Sequence, residues 1–334
     1  QGRALKEYLE EAGHTVDAVL LGTGKPDRVP DYFREAFPSV LRIFRSPWFL
    51  RTPNKKGIYM GRTLLFNLLH AAGYLREIGR IRKQIREIQP DLIFNFYELL
   101  GALAMRKTDP GIRRIGLGHH FYLHLHRSDF RLGPVWHRFL LGMHTRMIIK
   151  SCDRILALSF KEEPGTDAMD VIPPLVRREF REMQYVPGKS YLVYFLQEGF
   201  LFDLVKLARE DPEFQVDLFT SLNPDMDLPA GIRLHAFEAK KFSTLMASCK
   251  GLITTAGFDS AAEAAFHGIP LAVIPSRNHF EQRCNAMDIA AKGIGVSGSH
   301  IDKGLLERMQ TFESRDYRLW VERAGELMFT ILEE

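Results

Sequence analysis

Two short apolar runs, Leu252-Ile253 and Pro270 to Ile274, each pass through small residues or proline into a helical pattern. The first enters a tight turn at Ala256-Gly257 and then a helical segment that carries Glu263 and stops at Gly268. The second ends at Pro275, crosses the polar loop Ser276-Arg277-Asn278-His279 and opens a helix near Glu281-Gln282. Strand, turn, helix, strand, loop, helix in this order buries its strands in a parallel sheet with crossover helices. Ligands of such open sheets bind beyond the carboxyl ends of the strands, where this stretch carries its polar groups.

The same alternation runs through the rest of the 334 residues, a length that suits two domains of ordinary size. The N-terminal half reads as a helix ending at Gly13, a strand over 14–21, a long helix over 62–88, and strands over 92–96, 112–117, 153–158 and 169–172. Pro173-Pro174 cannot sit in a central strand. The expected division is an N-terminal Rossmann-like domain over 1–174, a linker over 175–189, a second α/β domain over 190–314, and a C-terminal helix over 315–334 that packs back on the first domain. The fold class is therefore α/β, two doubly wound domains with an interdomain cleft. The chain opens on Gln1-Gly2-Arg3 and runs straight into a helix, so a strand and its loop are expected to precede it.

With 46% apolar and 26% charged residues the composition is that of an ordinary globular protein. A net charge of +4 gives no nucleic-acid signature. Cys152, Cys249 and Cys284 are widely separated, so neither a disulfide framework nor a metal spacing arises and a cytoplasmic location is expected. No apolar run approaches the roughly 18–20 residues that span a bilayer.

Residues 23–60 read as irregular and interleave basic and aromatic side chains, among them Phe33, Arg34, Arg42, Phe44, Arg45, Trp48, Phe49, Arg51, Lys55 and Lys56. Two readings stand: a surface excursion whose aromatics pack onto the domain, or an acceptor loop that touches anionic headgroups. Helix 134–150 offers a similar basic-aromatic edge, so peripheral attachment to the inner face of a membrane is expected through these segments. His119, His120, His124 and His126 invite a metal reading, and His124 and His126 alternate as on a strand, but no Cys or carboxylate completes a closed site beside them. Strand ends facing the cleft make His119, His120 and Glu98 the candidate bases.

The turn at Thr254-Thr255-Ala256-Gly257-Phe258 fits neither the dinucleotide fingerprint nor the P-loop. Small residues there let a ligand approach the N–H groups of a helix N-terminus, where the dipole favours phosphate. Asp259 or Ser260 capping the helix is the alternative. Glu263 lies among Ala261, Ala262, Ala264 and Ala265. A carboxylate set among alanines against a sheet needs a hydrogen-bonding partner, and a vicinal diol such as a ribose supplies one.

Thr255-Ala256-Gly257-Phe258-Asp259-Ser260-Ala261-Ala262-Glu263, then Gly268-Ile269-Pro270, Pro275 and Glu281-Gln282, resembles the donor signature of the UDP-glycosyltransferases. That pattern runs His-Cys-Gly-Trp-Asn-Ser-x-x-Glu, four residues, Gly-Val-Pro, four residues, Pro, then Asp/Glu-Gln. The run ending in Asn285-Ala286 is also similar to the bacterial transferases that add N-acetylglucosamine to a lipid-linked peptidoglycan precursor. The resemblance implies the two-domain GT-B fold of nucleotide-sugar glycosyltransferases. It also implies that Gly257, Phe258 and Ser260 lie by the diphosphate, Glu263 holds the ribose, Glu281 and Gln282 hold the donor sugar, and Phe237 contacts the base. Gln197, in the turn after the first strand of the second domain, joins this donor set. Thr255 stands where the family has His, and Phe258 where it has Trp.

The expected activity is an inverting, metal-independent transfer from a UDP-sugar, UDP-N-acetylglucosamine or another UDP-hexose, to a glycan or lipid-linked acceptor, with no cofactor and no metal. The base is expected in the missing first loop or among His119, His120 and Glu98. Two other classes remain open: a nucleotide-sugar 2-epimerase or hydrolase on the same fold, and a non-catalytic nucleotide-sugar binding protein.

Overall fold

The structure is a computed structural model that describes residues 1–26, 29, 31–48, 50, 59–126, 135–195, 199–220, 227–276 and 279–333. The chain divides into two compact units, Gln1–Pro173 with Gly325–Glu334, and Pro174–Ala324. Residues 175–189, read from the sequence as a linker, thus belong to the second unit, where Leu175, Val176 and Phe180 are buried.

The first unit runs α1 (Gly2–Glu11), β1 (Val19–Thr23), α2 (Asp31–Ala36), β2 (Leu41–Arg45), α3 (Met60–Leu69), α4 (Ala71–Ile88), β3 (Leu92–Asn95), α5 (Leu99–Met105), β4 (Arg113–Gly118), α6 (His119–Leu125), α7 (Val135–Ile149), β5 (Arg154–Leu158) and β6 (Met169–Ile172). β3 to β6 form a four-stranded parallel sheet in chain order, and β1 pairs in parallel with β2. In α4 the spacing of Tyr74, Ile78, Ile81 and Ile85 lays one apolar stripe along the helix. That stripe packs with Phe44, Leu100, Phe121, Ile148 and Ile155 into one core.

Three expectations for this unit are corrected. Residues 23–60 are not irregular throughout: α2 and β2 lie within them, and Phe44 of β2 is a core residue. The Arg residues flanking Ile43 and Phe44 point the short strand's other positions outward, which made it read as a surface run. The helix expected over 62–88 is two helices that meet at His70. His124 does not alternate with His126 on a strand, because α6 continues from His119 to Leu125 and His126 is its C-cap.

The second unit runs α8 (Arg178–Arg181), β7 (Tyr191–Tyr194), α9 (Gly199–Glu210), β8 (Val216–Phe219), β9 (Ile232–His235), α10 (Ala239–Met246), β10 (Gly251–Thr254), α11 (Phe258–Phe266), β11 (Leu271–Val273), α12 (Phe280–Ala291), β12 (Val296–Ser297), α13 (Lys303–Thr311) and α14 (Arg318–Glu322). Its six parallel strands are ordered β12-β11-β10-β7-β8-β9. β10 is buried along its whole length, as a strand covered by helices on both faces must be. The segment Gly293-Ile294-Gly295-Val296-Ser297-Gly298 has the glycine spacing of a dinucleotide fingerprint, but it enters β12 instead of leading from a strand into a helix, so the context of that motif is missing.

The C-terminal segment expected as one helix is two. α14 ends at Glu322, and α15 (Ala324–Glu333) returns to the first unit. There Phe329 stacks on His14 with ring centroids 5.8 Å apart, and Arg113 donates to the Leu332 carbonyl. A Cβ on Gly325 would sit 3.3 Å from the Tyr8 ring, so a larger residue here would press on that ring.

Candidate functional site

In the second unit the chain lays down β7, β8 and β9 in one direction, then returns to place β10 on the other side of β7. Connections therefore leave β7 and β10 on opposite faces. The carboxyl ends of these two strands flank the switch point at which doubly wound sheets bind ligands.

On the β10 side, Gly257 is the N-cap of α11 with extended backbone, φ −77° and ψ 141°, and no side chain caps the helix. Its φ is open to any residue, so the glycine is not there for conformation. Among the described residues a Cβ would meet only the Thr255 carbonyl oxygen, at 3.6 Å, and Gly257 itself is exposed. What glycine supplies is room for a ligand against the helix terminus. The turn is held from behind: buried Asn285 of α12 donates from Nδ2 to the Ala256 carbonyl at 2.9 Å, and the Gly257 N–H closes onto the Thr255 carbonyl. Phe258 packs inward while Ser260 stays half-buried one turn into the helix.

Glu263 has 2% of its surface exposed and is paired with Arg177. The guanidinium donates from Nε to Oε1 at 2.6 Å and from Nη2 to Oε2 at 2.9 Å. Arg177 also donates from Nη1 to Glu179 at 2.9 Å and lies over the Phe180 ring at 4.5 Å. Burial works against the charge on Arg177, and the Glu263 carboxylate outweighs it, so the guanidinium is held more firmly charged than an ordinary arginine. Burial drives the Glu263 carboxyl upward, and Arg177 opposes that rise. Each carboxylate oxygen thus already accepts one hydrogen bond, and a ribose would have to use the remaining lone pairs.

At the β11 end, Gln282 Oε1 accepts from the Ser276 N–H at 2.8 Å, which ties the first turn of α12 to the loop after the strand. His279 is the N-cap of α12, its Nδ1 facing the Gln282 N–H at 3.4 Å. Glu281 and Gln282 are both half-buried in that first turn. Beyond β9, Phe237 is 43% exposed, with its ring centroid 5.5 Å from that of Tyr194, the last residue of β7. Tyr194 is in turn the register partner of Thr254 on β10. Phe237 and the Gly257 turn therefore share the carboxyl edge of one sheet. Gln197 lies outside the described residues.

Sequence reasoning missed Arg177, His279 and Tyr194. A buried carboxylate among alanines signals that a cation must face it, but nothing in the sequence near Glu263 says that the cation is 86 residues away.

In the first unit the three candidate bases lie beyond the ends of β3 and β4. Glu98 caps α5: Oε2 accepts from the Gly101 N–H at 2.5 Å, and Oε1 accepts from the Ser46 hydroxyl at 2.7 Å. His119 is buried, with Nδ1 2.8 Å from the Leu158 carbonyl. His120 is half-buried and stacks on Tyr97 with centroids 4.3 Å apart. Tyr97 takes φ +60°, a left-handed conformation that costs a bulky residue about 1 kcal/mol or more. Its hydroxyl meets Thr145 Oγ1 at 2.6 Å, and its ring meets His144 edge-on at 4.9 Å. Burial, aided by His120, lowers the pKa of His144 and keeps it neutral.

Among the described residues no three His, Cys, Asp or Glu side chains cluster as a metal site. The sequence does hold one Asp-x-Asp triplet, Asp225-Met226-Asp227, of which 225 and 226 lie outside the described residues. The same described residues contain no helix long and apolar enough to cross a membrane.

A family model described as Glycosyl transferase family 1 matches residues 1–314. No curated protein matches the chain. Among solved structures, the chain resembles the glycotransferase of kitacinnamycin at a TM-score of 0.59 and 16% identity, covering 98% of this chain and 94% of that one. It resembles the spinosyn rhamnosyltransferase SpnG complexed with thymidine diphosphate at 0.56 and 16%, with coverage of 99% and 95%. Phytolacca americana UGT2, complexed with UDP-2-fluoro-glucose and pterostilbene, follows at 0.57 and 14%, with coverage of 99% and 89%. At these identities the likeness speaks for the fold, two Rossmann-like domains of GT-B type.

Proposed function

Because the chain belongs to glycosyl transferase family 1 and is a GT-B glycosyltransferase, we propose that it moves a sugar from a UDP-sugar to an acceptor hydroxyl with inversion and without a metal ion. The observation that carries this reading is the bare, uncapped N-terminus of α11 at the switch point, open beside Gly257. As the acceptor attacks the anomeric carbon, negative charge gathers on the departing diphosphate. The α11 dipole and N–H groups lie where that charge would develop and need no reorganisation to stabilise it.

In this scheme Gly257, Phe258 and Ser260 border the diphosphate. Glu281 and Gln282 face the donor sugar: Gln282 spends its carbonyl on Ser276 and keeps its amide N–H groups for a hydroxyl. Phe237 and Tyr194 form the platform for the base. Gln197, in the turn after β7, is the remaining proposed donor residue. Glu263 acts on the ribose from within its pair with Arg177. For the base we favour His120, since Glu98 is committed as a helix cap and His119 is buried. The complexes of UGT2 with UDP-2-fluoro-glucose and of SpnG with thymidine diphosphate support a nucleotide diphosphate donor. The acceptor is proposed to be a glycan or lipid-linked hydroxyl at a membrane surface.

The test is release of UDP from a panel of UDP-sugars, with TDP-sugars alongside and EDTA in a parallel arm. The expected result is UDP release with at least one UDP-sugar, unchanged by EDTA. Release confined to TDP-sugars would contradict the choice of UDP. Loss of activity with EDTA would contradict metal independence and point to the Asp225-Asp227 triplet.

A further inference from the structure

α3 is turned inside out. Its inner face is polar. Buried Thr63 accepts the Leu50 N–H on Oγ1 at 3.0 Å, and Asn67 Oδ1 accepts from the Trp48 N–H at 3.1 Å and the Tyr74 hydroxyl at 2.7 Å. Asn67 Nδ2 donates back to the Trp48 carbonyl at 3.1 Å. The outer face carries Leu64, Leu65, Leu68 and Leu69 at 63, 58, 69 and 74% exposure, and Leu75 at 69% continues it on the first turns of α4. A surface helix ordinarily has the opposite arrangement. Rolling the leucines inward would break the bonds of Asn67 to Trp48 and Tyr74 and that of Thr63 to Leu50, so the orientation is fixed by the inner face. Single exposed leucines need no explanation, but residues three and four positions apart on a helix, as Leu65 and Leu68, Leu64 and Leu68, and Leu65 and Leu69 are, form a continuous patch, and a patch does.

The sequence leading into and through this face carries charge of one sign. From Ala36 to Arg76 the chain has no Asp or Glu and seven basic residues: Arg42, Arg45, Arg51, Lys55, Lys56, Arg62 and Arg76. Arg62 is exposed on the outer face of α3, and exposed Arg76 follows Leu75 directly. Glu35 precedes this run and Glu77 follows it, the latter paired with Arg80. An apolar stripe edged by exposed arginines, one of them lying over the Tyr59 ring, is the pattern that lies in the headgroup layer of an anionic bilayer.

We propose that the outer face of α3, with the start of α4, is a docking surface for an anionic lipid membrane, the leucines entering the headgroup boundary and Arg62 and Arg76 meeting lipid phosphates. The proposal takes its purpose from the lipid-linked reading of the acceptor, while the donor reading stands or falls without it. It differs from attachment through residues 33–56 or helix 134–150, because it names α3 as the inserting element.

Co-sedimentation of the full chain with phosphatidylcholine vesicles, with and without phosphatidylglycerol, tests it. The wild type is expected to pellet with the anionic vesicles only, and less at high salt. Arg62→Gln and Arg76→Gln should each lower partition about five-fold. Changing Leu64, Leu65, Leu68 and Leu69 to Ser should abolish it, with circular dichroism and the melting temperature held as controls, since these side chains support no core. Wild type that stays in the supernatant with both vesicles overturns the proposal, as does a leucine variant that pellets like wild type. Sedimentation velocity showing that the leucines hold two copies of the chain together, with vesicle binding unaffected by their loss, also overturns it. UDP release, measured without vesicles, separates this failure from failure of the donor reading.

Discussion

Arg177 and Glu263 show what one buried pair can fix. Glu263 is buried at 2% exposure on α11, and Arg177 is its bidentate partner from the segment before α8. Removing one partner of a buried pair strands the other, and the usual cost is about 3–5 kcal/mol. Arg177→Leu should therefore lower unfolding stability by that amount in a urea titration, while the double change with Glu263→Leu should recover most of it. A loss under about 1 kcal/mol for the single variant would mean that water reaches Glu263. The need for a partner at Glu263 was legible from its alanine neighbours, but the identity of Arg177 was not, because pairing across 86 residues is set by the fold and leaves no local pattern. Glu98 carries the opposite lesson. A carboxylate after a strand reads as a base, but one that precedes a helix by a single residue caps it, and Gly101 and Ser46 take both its oxygens.

Helices were easier to find in the sequence than to orient. In α4 the apolar residues Tyr74, Ile78, Ile81 and Ile85 recur at helical spacing and face in. α3 has apolar residues as well, but they face out, and only the bonds of Asn67 to Trp48 show why. β2 was lost because arginines flank its core phenylalanine. α12 carries Glu281, Gln282 and Asn285 at the carboxyl edge of the sheet, and it also carries the buried Asp288, whose carboxyl burial pushes up to about 7 from 3.8. Unfolded, Asp288 releases its proton near 3.8; folded, near 7. Between those values the folded chain holds a proton that the unfolded chain has lost, so stability falls as pH rises through this window, by up to about 4 kcal/mol. Asp288→Asn should flatten that slope and exceed wild type in stability at pH 8, with little difference below pH 4. Parallel slopes for the two proteins in denaturant titrations would show that Asp288 is solvated.

At the scale of the whole molecule, the alternation of strands and helices was enough for the α/β class and for the placing of 251–286 at a sheet's carboxyl edge. The strand order was not legible, and it is the order that identifies the switch point between β7 and β10. Order is settled by which helices cover which face, a matter of packing across the sheet. The return of the chain at Gly325 was legible only as a terminal helix, since the Tyr8 ring that it passes lies at the other end of the chain.

The central claim, that the N-terminus of α11 receives the donor's diphosphate, is tested most directly by calorimetric titration of UDP into wild type and Gly257→Ala. Among the described residues the added methyl meets nothing but the Thr255 carbonyl oxygen at 3.6 Å, and φ at this position suits alanine, so the fold should be retained. Its one consequence is to occupy the space beside the helix terminus. The prediction is one UDP site in the wild type and an affinity lowered about ten-fold or more in the variant, or at least ~1.4 kcal/mol, with the melting temperature shifted by only a few degrees. Equal UDP affinity in the two proteins, or no UDP binding by the wild type, would contradict it.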